Sequence, residues 1–338
     1  MEKNKIDLTI SIIMPVYNGI GFLEKSLPPL ADMLEKGEIL ELIVIDDGSS
    51  DESMVLAKKF GATVLESGGR KGPGAARNIA VELAKGEIVW FIDADVVVNN
   101  NVADILKKEF KKDGVVAVFG SYDDTPPAQN FLSQYKNMVH HFYHQNASRN
   151  ASTFWSGCGA IKRKEFIALG GFDIVQFKFP SVEDIELGYR IRNAGGRISL
   201  VPELQCKHLK VWRFINLVHT EFFRRALPWS RLLLRQGQLT NDLNVGVGER
   251  LRAGLSILLV LSSFASVLGL LTWWAPLAIL IIALLANSGF INFFYYKKGA
   301  IFTCCGFLYH QFYYLYSSIA FAFALFERHF TKTCKTKA

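Results

Sequence analysis

Three apolar runs in the first hundred residues stop abruptly at polar, turn-forming residues. Leu8 to Met14 ends at Pro15-Val16-Tyr17-Asn18-Gly19, Leu40 to Ile45 at Asp46-Asp47-Gly48-Ser49-Ser50-Asp51, and Ile88 to Ile92 at Asp93-Ala94-Asp95. Short runs rich in Ile, Val and aromatic residues read as buried strands, and helical patterns follow the first two. The rhythm is βαβαβ, which predicts an α/β domain on an open sheet. In such sheets ligands gather at the carboxyl ends of the strands, where these acids fall.

Asp93 and Asp95 would point the same way if their strand continued, because side chains alternate along a strand; a turn would let both converge on one ion. Two oxygen ligands suit Mg²⁺ or Mn²⁺ with positions left open for phosphates. A lone Asp-x-Asp is otherwise a strand ending in solvated turn acids. Upstream, Gly68-Gly69-Arg70-Lys71-Gly72-Pro73-Gly74-Ala75-Ala76-Arg77-Asn78 carries three cations and opens a helix expected to run through Lys85. Small residues admit a close backbone approach, and a helix N-terminus with Arg favours an anion. The plain alternative is a flexible surface loop.

Taken in order, Pro15-Val16-Tyr17-Asn18, Asp46-Asp47-Gly48-Ser49, Gly72 to Asn78 and Phe91-Ile92-Asp93-Ala94-Asp95 resemble a family 2 glycosyltransferase of GT-A fold. The likeness continues through Ser156-Gly157-Cys158-Gly159-Ala160-Ile161-Lys162-Arg163, Gly170-Gly171-Phe172-Asp173 and Glu183-Asp184-Ile185-Glu186-Leu187-Gly188-Tyr189-Arg190. It covers roughly residues 8 to 210. Each motif is weak alone; the order and spacing together are specific.

The resemblance implies that a nucleotide-diphospho-sugar lies across the first half of the sheet. Pro15 and Tyr17 would line the base pocket, Asp47 would accept hydrogen bonds from the base, and Arg77 would contact the uridine or diphosphate. Asp93 and Asp95 would bridge ribose, metal and phosphates, with His208 as a third metal ligand. Glu183 and Asp184 form the catalytic Glu-Asp pair, Asp184 being the base that takes the acceptor's proton, on a helix expected to start at Ser181. His208 is expected to follow a strand from Arg197 to Val201. His140, His141 and His144 are expected at the surface or in an acceptor pocket.

Composition changes the picture after Arg252. Half of the 338 residues are hydrophobic, and Gly254 to Leu271, Leu277 to Tyr296 and Ala300 to Phe326 carry no Asp, Glu, Lys or Arg. About 20 apolar residues span a bilayer, so the first two read as a hairpin turning at Trp273-Trp274, and the third as a further span or a re-entrant segment. Residues 211–252, with Trp, Phe and Leu interleaved with Arg, suit a helix lying in the interface. The expected organisation is a GT-A domain over 1–210, this interfacial region, transmembrane helices within 253–328, and a basic tail over 329–338. Arg224, Arg225, Arg231, Arg235, Arg250 and Arg252 before the first span and Lys297-Lys298 after the second agree with a cytosolic catalytic domain, whereas Arg328, Lys332, Lys335 and Lys337 strain a full third crossing.

The charge of +7 collects beside these segments, where anionic lipid heads rather than nucleic acid are the expected partner. The apolar run after Met1-Glu2-Lys3-Asn4-Lys5 is too short for a cleavable signal. Five scattered cysteines show neither metal spacing nor disulfide pairing. The expected protein is an integral membrane protein of the cytoplasmic membrane, a metal-dependent inverting enzyme taking a sugar from a UDP-linked donor to a lipid-linked or other membrane-associated acceptor. Three rivals remain: a processive polysaccharide synthase, disfavoured because His219 to Ala226 lacks the Gln-x-x-Arg-Trp such enzymes carry; a catalytically silent nucleotide-sugar-binding scaffold; and a nucleotidyltransferase, which would release pyrophosphate.

Overall fold

The computed structural model describes residues 8–99, 102–237 and 243–335, the last five for backbone only. Met1 to Lys5, Lys337 and the side chains of Lys332, Cys334 and Lys335 therefore lie outside the described residues. The chain forms two compact units, Met1–Trp212 and Arg213–Ala338.

The first unit is built on one mixed sheet. Its strands are β1 (Ile10–Val16), β2 (Glu41–Asp46), β3 (Thr63–Glu66), β4 (Ile88–Ile92), β5 (Val96–Val98), β6 (Val115–Tyr122), β7 (Asn150–Ala151), β8 (Cys158–Lys162) and β9 (Arg197–His208). The order is β3-β2-β1-β4-β8-β6-β9-β5, with β7 on β9. The half formed by β3, β2, β1 and β4 is parallel, and β8 runs against both β4 and β6. β1 and β4 are buried at every residue, which is why both read as unbroken apolar runs rather than alternating ones. Pro15 is tolerated in so central a strand because β4 pairs only as far as Ile13.

Several boundaries differ from the expected ones. The helix after the glycine-rich loop ends at Leu83, where Ala84 turns extended. The helix carrying Asp184 begins at Glu183 rather than Ser181, whose backbone N–H instead donates to Glu183 Oε2 at 2.7 Å. β9 does not stop at Val201 but runs through His208, shifting register against β6 between Phe119 and Ser121. That irregularity hid the second half of the strand from a period-2 reading.

The second unit is all helical. Helices Phe214–His219 and Leu227–Gln236 join through a π-helical turn, Thr220–Ala226. Val247–Val267 is the one described helix long and apolar enough by itself to cross a membrane. The expected second span does not form as one helix. It breaks at Asn287, whose amide donates to Ala283 O at 2.8 Å, and the flanking helices bend by 68°. The helix from Ser288 is interrupted in turn at Gly299, with φ 79°. Rings of Phe290 and His310 lie 4.3 Å apart, whereas 20 residues of straight helix would put them about 30 Å apart, so the chain doubles back there. The expected third segment then runs beside the Arg-rich helix: Phe312 stacks on Phe214, Ala320 and Ala324 pack with Leu227 and Leu234, and Arg231 forks onto Glu327 at 2.7 and 2.8 Å.

Candidate active site

The candidate residues come together at the carboxyl edge of β1, β2 and β4. Asp47, 7% exposed, follows β2 and accepts from Ser67 Oγ at 2.7 Å and from the backbone N–H groups of Lys71 and Gly72 at 2.9 and 2.8 Å. It therefore shapes the glycine-rich loop. A carboxylate offers about four acceptor positions, so one remains for a ligand N–H. Gly72, at φ 87°, turns the chain into helix Pro73–Leu83. Tyr17 is 43% exposed, and Arg70 lies 4.3 Å from the centre of its ring.

Arg77, one turn into that helix, is 3% exposed and forms an ion pair with Asp93, while its Nε has no partner among the described residues. Asn78 beside it grips the backbone of Phe172 with two 2.9 Å hydrogen bonds, tying the Gly170-Gly171 turn to the helix.

β4 ends at Ile92, so the chain turns at Asp93 and the two acids are presented by a turn, not by alternation along a strand. Asp93 N donates to Gly157 O at 3.1 Å and Leu209 N to Asp95 O at 2.8 Å, which anchors the turn between β8 and β9. Asp95 Oδ2 stands 3.5 Å from His208 Nε2. Burial pushes the Asp93 carboxyl up from its ordinary range; Arg77 opposes this, and the charges of Asp95 and Asp184 add to it. Burial acts likewise on Asp95, but the hydrogen bond and charge of His208, with Lys210, outweigh it and hold that carboxyl low.

Asp184 comes from the opposite side of the sheet sequence, in the first turn of helix Glu183–Asn193. Its Oδ2 accepts from Ser156 N at 3.0 Å and Ser156 Oγ at 3.2 Å. Gly188 makes this approach possible: a Cβ there would lie 2.4 Å from Phe154 N. Glu183 is 7% exposed, and burial, followed by the charge of Asp184, raises its carboxyl to about 7.

Of the histidines of helix Phe131–Asn146, expected at the surface or in an acceptor pocket, two are not at the surface and His140 is half-buried. His141 and His144 are buried, their Nδ1 atoms at 2.7 and 2.8 Å from Tyr122 O and Gly120 O, and the rings of His140 and His144 stack at 3.8 Å. Sequence reasoning missed Ser67, Arg70, Tyr122 and Ser156. Ser156 and Arg70 stood inside quoted stretches without a role assigned to them. The others act through contacts between distant segments.

Among the described residues no three His, Cys, Asp or Glu side chains converge as a ready-made metal cage. Asp95 and His208, with Asp93 on the same turn, suit a hard cation that takes its remaining ligands from phosphate oxygens and water. Among the described residues the cysteines are free, Cys158 and Cys206 being buried in the sheet.

A mixed sheet with acids at the ends of β2 and β4 and a helical carboxylate facing them defines a GT-A glycosyltransferase fold, followed here by an all-helical region. Residues 11–170 match the family model described as Glycosyl transferase family 2. The chain is similar to an uncharacterized glycosyltransferase of Haemophilus influenzae, 33% identical over 118 residues, covering 33% of this chain and 46% of that one. It also resembles a poly(ribitol-phosphate) beta-glucosyltransferase of Bacillus spizizenii, 35% identical over 94 residues, covering 26% and 15%. The matches thus span less than half of these relatives' lengths. Among solved structures, a mannosyltransferase of Pyrobaculum calidifontis in complex with GDP-Man and Mn²⁺ shares the fold: TM-score 0.61, 19% identity, 94% of this chain and 88% of that one.

Proposed function

We propose that the protein is a membrane-anchored, metal-dependent, inverting glycosyltransferase that moves a single sugar from a nucleotide-diphospho-sugar to a lipid-linked acceptor. The observation that carries this reading is Asp184, held by Ser156 within electrostatic reach of Asp93. Inverting transfer needs a base for the acceptor hydroxyl opposite the departing diphosphate.

Tyr17 and Pro15 offer the nucleobase an aromatic and apolar surface, and the remaining acceptor position of Asp47 takes a ring N–H, which uracil and guanine both present. Arg77, fixed by Asp93, keeps a buried Nε without a partner among the described residues, and its guanidinium charge favours an anion beside it. Asp95 and His208, with Asp93, would hold the divalent cation. Mg²⁺ or Mn²⁺ bound there supplies charge stabilisation for the leaving diphosphate. Asp184 takes the acceptor proton, with Ser156 keeping the carboxylate oriented. The Pyrobaculum neighbour, solved with GDP-Man and Mn²⁺, supports a nucleotide-sugar donor and a metal, and the Bacillus relative, named for a poly(ribitol-phosphate) acceptor, supports an envelope glycan or a precursor.

The apolar exterior of Val247–Val267, with Leu258, Leu261 and Phe264 exposed, and the exposed pair Trp273-Trp274 at its turn support insertion into lipid. The test is release of nucleoside diphosphate by detergent-purified protein, across UDP- and GDP-sugars with Mn²⁺ or Mg²⁺ and membrane lipid extract. Release lost in Asp95→Ala and in Asp184→Asn supports the reading. Pyrophosphate from a nucleoside triphosphate, or release that survives both substitutions, overturns it.

A further inference from the structure

His208 Nε2 points at Asp95 across 3.5 Å, yet an imidazole on the last residue of a strand has two free torsions with which to turn away. Tyr122 removes that freedom. The two rings lie face to face, centroids 4.4 Å apart and planes within 9°. Rotating the His208 ring would drive an edge into the Tyr122 face, so the stack selects the ring plane that aims Nε2 at Asp95.

Tyr122 is itself fixed. It ends β6 opposite Cys206, two residues before His208 on the parallel neighbour β9. Its carbonyl contacts His141 Nδ1 at 2.7 Å, and its ring packs against His140 at 4.1 Å and stands edge-on to Trp155 at 4.9 Å. The strand pair is pinned just beyond by Asp123 N donating to Cys206 O at 2.8 Å and by Lys207 bound to Asp123 at 2.8 Å. The aromatic and histidine rings of three separate segments thus back one imidazole.

We infer that Tyr122 is a positioning residue for divalent-cation binding, its ring face holding His208 in the orientation in which it and Asp95 ligate one ion. This rests on the reading of Asp95 and His208 as the metal ligands. Groups that orient a metal-bound His contribute to affinity through the ligand they fix.

The experiment titrates Mn²⁺ by electron paramagnetic resonance into the full-length protein in detergent, with UDP and, separately, with GDP present. Tyr122→Met, which keeps apolar bulk and loses the planar face, should raise the Mn²⁺ Kd about ten-fold while Tyr122→Phe stays within about two-fold, both at an unchanged melting temperature. A Tyr122→Met protein that binds Mn²⁺ as tightly as the parent overturns the inference. If Tyr122→Met does not fold, Tyr122→Leu takes its place under the same criterion. Tight Mn²⁺ binding unaffected by Asp95→Ala and His208→Ala would instead remove the metal-site reading itself, a result separable from parent-like binding by the Tyr122 variants alone.

Discussion

One oxygen of Asp184 receives two hydrogen bonds from a single residue, Ser156, through its backbone N–H at 3.0 Å and its hydroxyl at 3.2 Å. The other oxygen, Oδ1, takes the Ile185 N–H at 2.8 Å. A carboxylate clamped this way has one orientation, and the residue that clamps it lies in the turn before β8, next to Gly157, which anchors Asp93.

Asp184→Asn keeps the shape and removes the base, so turnover should fall by about 10²–10⁴-fold with donor KM little changed. Ser156→Ala leaves the backbone donor in place and should cost about ten-fold in kcat, in line with one lost hydrogen bond to a charged group. Initial rates of nucleoside diphosphate release measure both. Equal losses in the two variants would show that Ser156 does more than orient Asp184.

Glu183 predicts a pH-dependent stability. Its carboxyl titrates near 7 when folded, against an ordinary 4.5, because of burial and then the charge of Asp184. Between those values the folded protein holds a proton that the unfolded chain has released, so stability falls as pH rises from about 4.5 to 7 and is level above that. The rise corresponds to roughly 3 kcal/mol. Glu183→Gln, which can still accept from Ser181 N, should abolish that slope and be the more stable protein at pH 8. Urea or thermal midpoints at pH 5 and 8 decide it; parallel pH profiles for parent and variant would refute the assignment.

Gly188→Ala tests the packing that delivers Asp184. The added Cβ meets Phe154 N at 2.4 Å and Thr153 C at 2.7 Å, both backbone atoms that cannot swing away. The helix must lift, at about 1–3 kcal/mol in stability. Activity should fall by more than the fraction unfolded, since the lift separates Asp184 from Ser156. A folded variant with parental activity would show that the helix position is not critical.

In the helical unit Glu249, 8% exposed, pairs with Arg252 and lies 2.7 Å from the Tyr314 hydroxyl, while Arg252 Nε donates to Ala286 O at 2.8 Å. This network joins three helices at the Asn287 break. Arg252→Met alone removes the charge partner of a buried carboxylate that keeps its Tyr314 hydrogen bond and should cost about 1–3 kcal/mol, whereas the double variant with Glu249→Gln should recover much of it. Thermal unfolding in detergent reads both. No recovery in the double variant would mean that the other hydrogen bonds of Arg252, rather than the ion pair, hold the helices.

Much of this protein was written locally. The buried strands β1, β2 and β4 appear as apolar runs because both their faces are covered, and Tyr17, Asp47, Asp93 and Asp95 follow them because ligand-facing turns follow strands in such sheets. The order of motifs carried the resemblance, and the resemblance in turn marked Asp184, in its Glu-Asp pair, as the candidate base. Uncharged stretches after Arg252 marked the helical region.

What the tertiary structure decided depends on contacts between residues far apart in the chain, which no local pattern encodes. Ser156 reaches Asp184 only because Gly188 lets a helix close on Phe154, and Tyr122 meets His208 only because β6 lies parallel to β9. The same holds for the C-terminal segments. Their composition announced apolar helices, but the break at Asn287, the reversal at Gly299 and the pairing of Arg231 with Glu327 come from helices packing on one another. Hydropathy counts residues and does not register where a chain turns back.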